Sequence, residues 1–114
     1  MIKQTITDDP ELDLVVITGA SGHLGQTIVQ KYLKDSDLRV IAVGRARTDK
    51  SAELESSWSQ ISSAFTYLYC DELQAKNQSV SATLAERFPR SRITVLINNA
   101  ASQALGALSE FTTE

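Results

Sequence analysis

The sequence predicts an α/β fold, a doubly wound parallel sheet with helices on both faces. Three observations predict it. Short apolar, β-branched runs recur: "LDLVVIT" (12–18), "LRVIAVGR" (38–45), "AFTYLYC" (64–70) and "RITVLI" (92–97). Apolar residues at helical spacing stand between them. A glycine-rich turn, "TGASGHLG" (18–25), follows the first run directly. Strands buried on both faces read as continuous apolar runs, and regular alternation of such runs with helices selects a parallel sheet.

Each element follows in order. Residues 1–11 are polar, end in "DDPE", and read as a leader before a unit spanning 12–114. After the first strand and the glycine turn, Leu24, Ile28, Tyr32 and Leu33 mark one face of a helix that fades at "KDSD". The second strand leads to a helix within "DKSAELESSWSQISS", where Leu54, Trp58 and Ile61 share a face. At that spacing Trp58 reads as a packing residue. After the third strand, Leu73, Val80, Leu84 and Phe88 give one further helix face, stopped by "PRS". The fourth strand opens into "NNAASQALGALSEFTTE", a loop ending at the entry to another helix. Right-handed crossovers then order the strands 3-2-1-4, truncated after the fourth. Ligands of such sheets bind beyond the carboxyl ends of the strands where the order reverses, here between strands 1 and 4.

Bulk properties narrow the function. The 114 residues suit one domain, with 42% hydrophobic and 22% charged residues and a net charge of -3. No basic face is implied, so neither nucleic acid nor an anionic membrane is expected as a partner. The single cysteine rules out an internal disulfide and fits a reducing, cytoplasmic setting. No signal-type apolar core, run of membrane-span length or metal-type Cys/His spacing occurs.

The residues with chemical potential stand at strand ends. Gly19 suits a tight turn out of the first strand, Gly22 a close approach of backbone to a pyrophosphate, and Gly25 close packing of the helix on the sheet. The spacing is G-x-x-G-x-x-G in the strand-to-helix context that a dinucleotide turn requires. His23 inside the turn reads either as a phosphate contact or as an exposed loop histidine. Arg45 ends the second strand where an acid would hydrogen-bond a ribose 2′-hydroxyl; an arginine there pairs instead with a 2′-phosphate. That favours NADP(H) over NAD(H), with Gly44 leaving space and Arg47 assisting. A solvated surface arginine is the plainer alternative. Asp71, with the neighbouring backbone at Glu72, stands where it faces an adenine or simply ends a strand. Cys70 reads as a small core residue.

"VITGASGHLG", "VIAVGR", "YCDEL" and "VLINNAA", in this order and spacing, resemble the short-chain dehydrogenase/reductase family over residues 12–114. The resemblance implies a Rossmann-type fold and its N-terminal cofactor-binding half. It carries pyrophosphate binding to Gly19, Ala20, Ser21, Gly22 and Gly25, NADP preference to Arg45, and proximity to the adenine to Asp71; His23 and Leu24 in the same turn and Glu72 beside Asp71 complete the candidate cofactor-binding set. It places Asn99 and Ala100 beside the cofactor, with Asn98 bracing the sheet. The chain departs from the pattern T-G-x-x-x-G-x-G, since His23 replaces the second glycine and Gly22 precedes it. Ala101 replaces the glycine of "NNAG".

The family's chemistry uses a serine, a Tyr-x-x-x-Lys pair and an asparagine. Tyr32, Tyr67 and Tyr69 are followed four places on by Ser36, Asp71 and Leu73, so this chain has no such pair. The leading reading is the dinucleotide-binding portion of an NADP-dependent oxidoreductase, inactive alone, whose carbonyl or alcohol substrate binds only the intact protein. A second reading is a non-catalytic NADP(H) sensor or partner module, and a third is an interaction scaffold. The apolar "TVLI" edge of strand 4 predicts self-association.

Overall fold

The structure, a computed structural model, describes residues 12–99. Its elements are β1 (Leu14–Thr18), α1 (His23–Asp35), β2 (Arg39–Gly44), α2 (Asp49–Ile61), β3 (Phe65–Tyr69), α3 (Cys70–Ala75), α4 (Val80–Arg87) and β4 (Ile93–Ile97). The four strands form one parallel sheet in the order β3-β2-β1-β4, as expected. Residues 1–11, expected as a leader, and the segment from Ala100 onward lie outside the described residues.

Strand β1 is buried along its whole length, because it is central and covered on both faces. Its alternate side chains feed two cores. Val15 and Ile17 join Val29, Leu33, Val40, Ala42, Trp58, Phe65, Tyr67 and Tyr69 under α1 and α2. Leu14 and Val16 join Ile41, Val43, Leu68, Leu73, Val80 and Leu84 under α3 and α4. Each fully buried aliphatic side chain here contributes about 1.5–3 kcal/mol. Trp58 is a core residue, as its spacing predicts. It lies edge-on to Phe65 (5.6 Å) and stacks near Tyr67 (6.1 Å).

Three expectations are corrected. Leu24 does not face the core and is 61% exposed. The seam of α1 runs through Gly25, Val29 and Leu33, and Leu24 lies about 100° off that line. Ile61 is also exposed, because it ends α2 where the chain turns through Ser62 toward β3. The single helix expected from Leu73 to Phe88 is two. Asn77 adopts a positive φ of 57°, which an α-helix cannot absorb, and the Ser79 side chain caps a fresh start by accepting from the Ala82 N–H.

Candidate dinucleotide-binding site

The turn after β1 is built by two glycines with different duties. Gly19 has φ 66°, the left-handed region that disfavours a Cβ. Gly25 sits where a Cβ would run into the Gly19 carbonyl oxygen and stand 2.9 Å from the Ala20 Cα. Only a glycine lets α1 approach the turn this closely. Gly22 differs. A Cβ there would stand 3.5 Å from the Gly19 oxygen, an ordinary contact, and its φ of -75° suits any residue. Nothing in the fold requires glycine at 22.

Gly22 is the N-cap of α1, and no side chain caps this end. The N-termini of α2 and α4 are capped, by Thr48 within a capping box and by Ser79. Among the described residues nothing accepts from the N–H groups of His23, Leu24 or Gly25. Ala20 is buried, whereas Ser21, Gly22, His23 and Leu24 are exposed. The helix thus presents unpaired donors and its positive end to solvent, an arrangement suited to an anion.

Residues after β4 hold the turn from the other side. Thr18 is buried, and its Oγ1 accepts from the Asn99 N–H at 3.0 Å. The same hydroxyl faces the Ile97 carbonyl at 3.4 Å and Asn98 Oδ1 at 3.5 Å. The Asn99 side chain donates to the Gly19 carbonyl at 3.2 Å. Both asparagines therefore reach back to β1, and Asn99 ties directly into the glycine turn. Ala100 lies outside the described residues. Gln26, which sequence reading passed over, donates to the Ser21 carbonyl at 2.9 Å and braces the turn from within α1.

The ends of β2 and β3 form the second part of the site. The Asp71 N–H donates to the Arg45 carbonyl at 3.0 Å, which joins the two strand ends. The side chains of Arg45 and Asp71 are exposed. Arg47 does not stand free beside Arg45. Its Nε and Nη2 donate to Glu72 at 3.0 and 3.2 Å, and its Nη1 donates to Glu55 at 3.1 Å. Its guanidinium also lies 4.3 Å from the centroid of the Tyr69 ring. The hydrogen bond from Arg47 holds the Glu72 carboxyl below its usual range, and the same bond raises Arg47.

The space expected over Gly44 is filled. A Cβ there would stand 3.3 Å from Tyr67 Cε1 and 3.6 Å from Tyr69 Cδ1. Gly44 makes room for the tyrosine rings on its Cβ side. Tyr67 and Tyr69 stack at 4.6 Å. Tyr69 Oη donates to Ser51 Oγ at 3.1 Å or to Glu55 Oε1 at 3.4 Å. Burial is the main reason that the Tyr67 phenol is pushed up to about 12; Tyr69 is raised by burial too. The readable signal was period two in "FTYLY", which sets Tyr67 and Tyr69 on one face opposite a glycine. Cys70 is half-buried and packs against the α3/α4 core.

Among the described residues no His/Cys/Asp/Glu group could hold a metal ion, and no helix is long and apolar enough to cross a membrane. No curated protein matches the chain in sequence. A solved multidomain structure of a keto acid-selecting NRPS module, with adenylation, ketoreductase and pseudo Asub parts, is similar in fold. Its TM-score is 0.60 at 20% identity, over 76% of this chain and 8% of that one. The chain therefore spans a small part of its neighbour's length, and at that identity the likeness concerns fold alone. The family model for short chain dehydrogenase matches residues 13–114. That span takes in every strand and helix described above and the glycine turn that joins the first two. The chain belongs to the short chain dehydrogenase family, oxidoreductases that bind NAD(P)(H).

Proposed function

We propose that residues 12–114 are the N-terminal, dinucleotide-binding half of an NADP-preferring oxidoreductase domain, and that the intact protein passes hydride between the nicotinamide and a carbonyl or alcohol substrate. The observation that carries this reading is the uncapped start of α1, with its unpaired N–H groups above Gly22, a glycine the fold does not need. The pyrophosphate would sit at that end, held by backbone N–H groups from Ser21 to Gly25 with His23 alongside. Asn99 and Ala100 would flank the cofactor beyond β1 and β4, while Asp71 and the Glu72 backbone would face the adenine.

Arg45 would supply the preference for a 2′-phosphate. Its side chain is exposed, and among the described residues no carboxylate pairs with it. Arg47, the expected assistant, is already held by two glutamates. The bound cofactor would supply the hydride chemistry. The chain itself binds and orients the dinucleotide, and it offers no Tyr-x-x-x-Lys pair to move the proton. The lone Cys70 accords with a cytoplasmic setting.

The test is twofold. The purified chain is expected to bind NADPH and to show no carbonyl reduction. Turnover that survives in the pure chain would overturn the inactive-half reading, and absence of any dinucleotide binding would overturn the cofactor reading. The departure at His23 favours a second reading, a non-catalytic NADP(H)-binding sensor or partner module. It shares the binding prediction and differs in that the natural protein would lack turnover as well.

A further inference from the structure

We infer that Arg47 is a specificity-determining residue that offsets part of the negative charge of Glu55 and Glu72, and so supports the preference for a 2′-phosphorylated dinucleotide without touching the phosphate. This rests on the reading of the site as one for NADP(H), with Arg45 as the phosphate partner. The geometry separates the two arginines. All three guanidinium nitrogens of Arg47 donate to carboxylates, and its flat face lies on Tyr69. Swinging it to a phosphate breaks three charge-assisted hydrogen bonds and a ring contact together. Glu55 Oε1 faces both Arg47 Nη1 and the Tyr69 hydroxyl, so the cluster is fixed to the core at two points.

The carboxylates matter because of where they stand. Asp71 is hydrogen-bonded to the Arg45 carbonyl, and Glu72 is its chain neighbour. The guanidinium that holds Glu72 and Glu55 belongs to a residue two places after Arg45, so both carboxylates stand at the same corner of the sheet, where charges of an exposed site are screened only over a Debye length of ~8 Å at physiological salt. Unneutralised, these groups would repel a dianionic 2′-phosphate and leave a 2′-hydroxyl almost unaffected. With Arg47 in place one of these two negative charges is offset, which lowers the repulsion that a phosphate at Arg45 would meet.

The experiment titrates the full chain calorimetrically with NADPH and with NADH at low and physiological salt. Circular dichroism confirms that each variant folds. Arg47→Gln is expected to weaken NADPH binding about five- to tenfold and to change NADH binding by less than about twofold. Adding Glu55→Gln and Glu72→Gln to that variant is expected to make NADPH binding at least as tight as in the unaltered chain, because neither glutamate charge is left for Arg47 to offset. Arg47→Lys, which keeps the charge and loses the fork, is expected to retain most of the preference. Glu72→Gln with Arg47 intact is expected to tighten NADPH binding, and this arm holds if Arg47→Gln fails to fold. A triple variant as weak as Arg47→Gln would make Arg47 a direct phosphate ligand and overturn the inference alone. An unaltered chain that binds both dinucleotides equally, or neither, would remove the NADP reading and this inference with it.

Discussion

At the residue scale, the two helix-side glycines of the turn separate fold from function. Gly25→Ala would drive a Cβ into the Gly19 carbonyl, a backbone atom that cannot step aside. Overpacking of this kind costs about 1–3 kcal/mol, so a clear fall in the urea midpoint is expected. Gly22→Ala meets only an ordinary contact, so its unfolding free energy from urea titration should change by less than about 0.5 kcal/mol. If a pyrophosphate approaches the backbone there, the same methyl should weaken NADPH binding about tenfold or more. A large loss of stability in Gly22→Ala, or unchanged binding, would contradict this division.

Tyr67 gives a pH prediction at the same scale. Its folded value, pushed up to about 12, lies above its unfolded one, so the folded chain holds the phenolic proton longer. Stability from the neutral phenol is full below about pH 10 and is lost as pH rises through the folded value. Urea midpoints should therefore fall over that alkaline window, and Tyr67→Phe should flatten the fall. A midpoint independent of pH there would argue against burial as the cause.

At the scale of elements, the sequence was most legible where hydrophobic pattern decides structure. The four apolar runs each lie within two residues of the strands observed, because a buried parallel strand has no polar side to confuse the reading. Trp58 was legible for the same reason. The α3/α4 break was not, since apolar spacing alone carries no record of backbone dihedrals. "KNQS" held the signal: Asn tolerates the left-handed region, and Ser caps the next helix. The break is testable. Ser79→Ala should cost about 1 kcal/mol through loss of the cap, and an unchanged urea midpoint would contradict that role. The site was partly legible. The glycine turn, Arg45 and Asp71 stand at the carboxyl ends of β1, β2 and β3, as topology requires. The tie of Arg47 to Glu55 and Glu72, and the tyrosines filling the space beside Gly44, join residues far apart in the chain, and no local pattern encodes them.

At the scale of the whole molecule, β4 is an edge of the described sheet, and Ile93 is 36% exposed. Beneath it Leu14, Leu84, Phe88, Ile93 and Leu96 line a groove of about 720 Å³. An apolar, β-branched edge strand is a template for pairing with another strand. The purified chain is therefore expected to self-associate as its concentration rises, and Thr94→Lys on the exposed part of β4 should reduce this. Light scattering reads both. A sharp monomer at high concentration in the unaltered chain would mean that β4 is protected.

The most direct test of the NADP(H) site is the affinity of the chain for NADPH and NADH, measured side by side before and after Arg45→Glu. A charge-assisted bond of the arginine to the 2′-phosphate contributes about 1.5–3 kcal/mol. NADPH should therefore bind about tenfold or more tighter than NADH, and Arg45→Glu should abolish or reverse that ratio. Equal affinities in the unaltered chain, or a ratio untouched by Arg45→Glu, would contradict the assignment of this corner of the sheet to a 2′-phosphate.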